Sequence, residues 1–469
     1  MRIKRLLLAL SLSLLVGKSF AISFKVDGIS YVANADTAII KGYSDVPENG
    51  ELTLASTVSY GGKEYSVTTV QKSAFLLCSE LKKLVIPSTI KYIQSCAFEK
   101  CKMLKYVNFL AGDEVLHVKN DAFIDCALDS VLLSRHLDRT IFEGDKHLKK
   151  ISFGDNYNIL EDNFLANCSA LKDVELNKIS TLGNEAFSNC VSLEQISLDN
   201  VRNIGQKAFY QCVNLKKFNA SNVVSINDYA FQSSGLKDVN LGTQIQYLGK
   251  GVFESCTNLT NFNLDCELFS IPEECFMGCS SLKIMELPTS IKEIGKNAFA
   301  YSGLKECNLN AVKRVEDNGF NHCLNLKNVQ WGNVEYLGVG AFNNTGLKEI
   351  ILPSSVTEIS MWAFFDCKQL EKVDMSKTQL TFIGCFKGCS MLKTVLLPSN
   401  LKMIGGSCFE DCSALEELSL PNSLETLINN SFKSMISLKT IDLRETKVHL
   451  IPSSCFYGCQ SLESVYLNA

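Results

Sequence analysis

A 469-residue chain that is 46% apolar can bury a sizeable core, and its net charge of −4 offers no basic face for nucleic acid. Beyond the first twenty residues, no stretch is long and apolar enough to span a bilayer. Twenty cysteines invite a disulfide or metal reading, but their positions argue against both.

Residues 1–21 read as a secretory signal peptide. Met1-Arg2-Ile3-Lys4-Arg5 is a basic start, Leu6 to Val16 an apolar core, and Ser19-Phe20-Ala21 a small-x-small cleavage signal with cleavage after Ala21. The apolar run is too short for an uncleaved anchor. Without Arg2, Lys4, Arg5 and Lys18, 42 basic residues face 50 acidic ones, a net of −8.

Residues 22–70 are expected to form an N-terminal β cap. Phe24 to Val32 reads as a hairpin turning at Asp27-Gly28, and 37–42, 51–58 and 64–70 read as further strands, with a second turn candidate at Gly61-Gly62.

From residue 71 to 469 the chain repeats about 18 times, mostly every 22 or 23 residues. A Phe recurs at 75, 98, 123, 142, 187, 209, 231, 253, 276, 299, 320, 342, 364, 386, 409, 432 and 456, with Leu165 filling one gap. An apolar residue stands five positions before it (Val70, Ile93, Ile294), a small residue just before it, and a Leu usually six after. An alternating run such as Leu81-Lys82-Lys83-Leu84-Val85-Ile86 follows and predicts a strand with one buried face. The piece Ile-Gly-x-x-Ala-Phe is too brief for a full helix; a turn, a single helical turn or a short second strand all fit it. Where the Cys after the Phe is missing, Gly follows one position later (Gly235, Gly303, Gly346), expected to supply a positive φ. The stretch 100–165 is the least regular, and local bulges are expected there. One unit cannot bury its own apolar residues, so neighbours must stack, with the Phe column inside.

Ile294-Gly295-Lys296-Asn297-Ala298-Phe299 and Phe409-Glu410-Asp411-Cys412-Ser413-Ala414-Leu415 resemble the unit of the BspA-like leucine-rich repeat family of bacterial surface proteins. Gly28, Tyr31 and Tyr65-Ser66-Val67 extend the resemblance toward the N-terminus. The resemblance implies an α/β-type repeat solenoid: a leucine-rich-repeat horseshoe or arc with a parallel β-sheet on one face and short turns, helical pieces or strands on the other. It also implies a secreted or cell-surface binding protein, some relatives acting as adhesins, and no shared catalytic site. No C-terminal sorting domain is visible, and the strand 462–467 is expected to leave an open edge.

Thirteen cysteines occupy one repeat site, three after the spine residue, and four more the small-residue site. A site that also accepts Ser, Thr, Asp or Met is used for size and weak hydrogen bonding, so buried reduced thiols are expected. The pairs Cys275…Cys279, Cys385…Cys389, Cys408…Cys412 and Cys455…Cys459 mimic zinc spacing, but a core Phe lies within each; no metal or cofactor is expected. The five His share no repeat position, and no nucleophile elbow or phosphate loop appears, so no enzyme is expected.

Function is then expected on the outward positions of the strand face. The middle rungs place Gln195, Ser197, Lys217, Asn219, Asp238, Asn240, Asn261, Asn263, Glu306, Asn308, Asn328 and Gln330 there. Amides donate and accept, which suits a protein main chain or a glycan; for any single residue, plain solubility explains the choice as well. Ile351 and Leu396 add apolar exposure. A glycan site wants aromatic platforms, and the two tryptophans are Trp331, inward by register, and Trp362. An extracellular protein, such as a host matrix or cell-surface protein, is therefore the expected partner, with a glycan as the alternative.

Overall fold

The computed structural model describes residues 21–467. Residues 1–20 of the expected signal peptide lie outside the described residues. The chain divides into two compact units that part between Ile179 and Ser180.

In the first unit, β1 (Ile22–Val26), β2 (Ile29–Asn34) and β3 (Thr37–Tyr43) form an antiparallel meander. Asp27 and Gly28 both have positive φ, 46° and 77°, so the hairpin turns as its Asp-Gly pair predicts. After β4 (Glu51–Thr53), β5 (Thr57–Tyr60) pairs antiparallel with β6 (Lys63–Val70) across Gly61-Gly62. The expected separate cap is corrected here. β4 pairs in parallel with β7 (Lys83–Ile86), and the end of β6 with β8 (Tyr92–Ile93). Both repeat sheets thus begin before residue 70, because Val70 already stands in the buried position five before the first spine Phe. Longer strands continue one sheet at Tyr106–Phe109, Ser130–Leu133, Lys150–Phe153 and Asp173–Glu175, all parallel.

In the second unit every rung but that of Phe456 carries a two-residue strand just before the spine motif, and most carry a three-residue strand after it, the strands running parallel to their counterparts. The rung of Phe299 shows why. Ile294, Ala298, Phe299, Leu304, Cys307 and Leu309 are all buried, while Glu306 and Asn308 flank Cys307 outward, as a period of two requires. The spine rings stack at 5.0–6.0 Å from Phe187 through Phe456.

The helical pieces expected of an α/β class are absent from the described residues; the fold is a parallel β-solenoid. The residue two before and the residue two after the spine Phe are left-handed in most rungs, as at Asn297 (φ 55°) and Tyr301 (φ 61°). A right-handed helix cannot propagate through such residues. The alternation instead aims backbone N–H groups at the next rung. Phe299 N–H donates to Gly319 O (2.8 Å) and Tyr301 N–H to Asn321 O (2.8 Å). These two bonds recur between all consecutive rungs from Phe187 to Phe456.

The cysteine site completes the ladder. Cys279 Sγ donates to Phe253 O (3.1 Å), Cys323 to Phe299 O (3.0 Å) and Cys412 to Phe386 O (3.2 Å), each thiol reaching back one rung. Burial pushes the Cys212, Cys256 and Cys408 thiols up to about 12, which keeps the proton such a bond needs. The reading of Gly235, Gly303 and Gly346 is corrected: none has positive φ. A Cβ on Gly303 would stand 2.1 Å from Ser280 O, and one on Gly235 2.0 Å from Val213 O. Glycine is there because the shortened turn presses against the previous rung's backbone; Gly303 N–H donates to Cys279 O at 3.1 Å.

Candidate binding surface

The strand face of the second unit carries most of the expected residues in vertical columns. Parallel register sets Lys217, Asp238 and Asn261 in one line and Asn219, Asn240 and Asn263 in the next. Glu306 with Asn328, and Asn308 with Gln330, extend the same two lines further along the chain. Between the two blocks, Lys283–Leu287 forms no strand, and no backbone hydrogen bond among the described residues joins Ile284–Leu287 to a neighbouring rung.

That interruption shapes the surface. A groove of about 840 Å³ is lined by Lys217, Asn219, Asp238, Asn240, Asn261 and Asn263 against Lys283–Pro288. A second, of about 430 Å³, lies between Ile284–Leu287 and Glu306, Asn308, Asn328 and Gln330. Ile284, 57% exposed, stands as a ridge shared by both. Ten of the twelve expected residues thus come together. Gln195 and Ser197 do not: they line neither groove and sit in a stretch that forms no strand, where Ser197 Oγ donates to Asp199 Oδ2 (2.7 Å). The ridge was missed in the sequence, although an Ile at an outward position was its signal.

Several amides are already engaged. Asn261 Nδ2 donates to Asp238 Oδ1 (2.5 Å), and Asn263 Nδ2 to Asp265 Oδ2 (2.6 Å). Asn240 Oδ1 accepts from Gly242 N–H (3.1 Å), and Asn308 Oδ1 from Asn310 N–H (2.9 Å). Gln330 Oε1 accepts from Asn310 Nδ2 (3.4 Å). The acceptor ends of Asn240, Asn308 and Gln330 are therefore used within the protein, and their N–H₂ ends remain to face a ligand's oxygens. The aromatic rings lining the grooves, Phe218 and Phe262, belong to inward positions, and Phe218 is buried. Trp331 is buried edge-on against Phe342 (4.9 Å), and Trp362, half exposed, sits in the spine turn rather than on a strand. Ile351 and Leu396 are exposed on either side of Asp374 in register.

The histidines remain apart: His117 Nδ1 lies 3.1 Å from Asp138, and His136 Nδ1 3.2 Å from Glu161. Among the described residues, no group of three or more His, Cys, Asp or Glu is placed to hold a metal, and no helix is long and apolar enough to cross a membrane.

The family model described as BspA type leucine rich repeat region matches in six overlapping copies, residues 68–193, 135–260, 202–327, 246–371, 313–413 and 382–469. No curated protein matches the sequence. Among solved structures, the chain is similar to a leucine-rich repeat protein from Bacteroides ovatus (22% identity, 94% of each chain, TM-score 0.38). It is also similar to a leucine rich cell surface protein from Faecalibacterium prausnitzii (19%, 96% of each chain, TM-score 0.31). A third is the pneumococcal vaccine antigen PcpA (16%, 88% of this chain and 94% of that one, TM-score 0.31).

Proposed function

The chain belongs to the BspA-type leucine-rich repeat family, and from that premise we propose that it is exported through its cleaved N-terminal signal and works at or outside the cell surface as a binding protein for an extracellular protein. The proposal includes no catalysis and no cofactor. The observation that carries it is the pair of grooves on the strand face, where outward amides keep free N–H₂ donors around an exposed Ile284 and no aromatic platform is offered. Such a surface suits main-chain carbonyls and an apolar side chain better than it suits sugar rings.

The test presents the purified chain to a panel of matrix and cell-surface proteins alongside a glycan array. Binding to a protein is expected, and the variant Asn240→Ala/Ile284→Asp/Asn308→Ala is expected to weaken it at least about tenfold with unchanged thermal stability. Carbohydrate binding without a protein partner would reverse the proposal in favour of a glycan-binding accessory protein.

A further inference from the structure

Among the described residues of the first unit, the ladder loses both of its bonds at one place. Phe75 and Leu77 N–H donate to Ala97 and Glu99 O, and Phe98 and Lys100 N–H to Ala122 and Ile124 O, at 2.7–2.9 Å. The next pair is missing: among the described residues, the Phe123 and Asp125 N–H groups make no backbone hydrogen bond and Ile141 and Glu143 O accept none. The cause is in the spacing. Phe123 and Phe142 are 19 residues apart, short of the usual step, so the two spine turns do not meet, although Ser130–Leu133 still pairs with Lys150–Phe153 and Leu116 with Leu137. The ring stack stops here as well: Phe98 stacks on Phe123 at 5.0 Å, and Phe142 instead meets Phe164, tilted at 55°.

The parted rungs leave a cleft of about 900 Å³. One wall offers two backbone donors and the facing wall two backbone acceptors. Phe123 and Ile141 are the apolar surface between them. The rim is balanced in charge, with Lys100, Lys102 and Lys146 against Asp125, Glu143 and Asp145, which selects against a bare anion.

We propose that this split is a docking site for an extended peptide segment of a partner protein, laid between the two rungs as an added strand. Along each edge of an extended chain, every second residue turns both its C=O and its N–H outward, so one edge can offer two carbonyls to the Phe123 and Asp125 N–H groups and the other two N–H groups to the Ile141 and Glu143 carbonyls. Its alternate side chains meet Phe123 and Ile141 on one face and solvent on the other, so the segment alternates apolar and polar residues. The site lies outside the strand-face grooves and does not depend on them.

The experiment is residue-resolved hydrogen exchange of the exported chain, alone and with a pool of blocked hexapeptides in which randomised Val, Ile or Leu alternates with Thr. In the free protein, Phe123 and Asp125 amides are expected to exchange fast while Phe98 and Lys100 stay slow. The pool slows Phe123 and Asp125 by about tenfold or more, its fully N-methylated counterpart does not, and Ile141→Asp abolishes the effect while Phe98 stays slow. Slow exchange in the free protein, no slowing by the pool, or the same slowing by inorganic phosphate alone would each overturn the proposal. Asn240→Ala/Ile284→Asp/Asn308→Ala leaves the result unchanged, so a failure here is distinct from a failure of the strand-face reading.

Discussion

The spine phenylalanine is the residue on which a rung most depends. Phe253 is fully buried between Phe231 (5.8 Å) and Phe276 (5.7 Å), with Phe262 edge-on at 5.2 Å. Removing so large a side chain from a stack that cannot collapse leaves a cavity, so Phe253→Ala is expected to cost about 3–5 kcal/mol in denaturant unfolding. Glu410 is the residue with the clearest pH signature. Burial would push its carboxyl up, but Ser407, Lys387 (2.9 Å) and Lys433 (3.0 Å) outweigh that and hold it at about 2, below its ordinary 4.5. A depressed folded value contributes stability above the unfolded value, and that contribution disappears as pH falls from about 4.5 through about 2. Glu410→Gln is therefore expected to be less stable than the parent near neutral pH by about 2–3 kcal/mol. The gap closes toward pH 2, as thermal melts across that range will show.

Single rungs show what the sequence carries and what it hides. The alternating runs and the Phe period were legible because each is a burial pattern, and burial is what residue type reports most directly. The left-handed residues were not. Cys96, Lys100, Tyr301 and Trp362 hold positive φ with ordinary side chains, because two bonds to the next rung offset the local cost. A short helical turn therefore remained open on paper. Gly303 shows the converse: its type suggested special φ, whereas the cause is a carbonyl of the preceding rung. Gly303→Ala is accordingly expected to destabilise by more than about 2 kcal/mol, read by chemical denaturation, and Gly61→Ala, with open space at its Cβ, by less. The irregular stretch 100–165 was flagged by spacing alone. That its irregularity is a parted ladder required the backbone positions.

For the molecule as a whole, stability is a sum over neighbours, and both proposed binding sites lie where the regular stack is interrupted. Strand-face columns were legible because period two fixes which side chains face out, and ten of twelve expected residues converge on two grooves. Gln195 and Ser197 fell outside because their stretch of the rung forms no strand, which an alternating pattern cannot announce. The grooves also rest on interruption: the unpaired stretch Ile284–Leu287 gives them a shared wall.

The claim beneath all of this is that, from Phe187 to Phe456, consecutive rungs are joined by the same two backbone bonds beside a continuous aromatic column. Amide hydrogen exchange resolved by residue tests it most directly. Slow exchange is predicted at Phe209, Gln211, Phe231, Ser233, Phe253 and Ser255, and at their counterparts in each rung through Phe432 and Ser434. Fast exchange at those positions in the central rungs, under conditions where the protein stays folded, would contradict it.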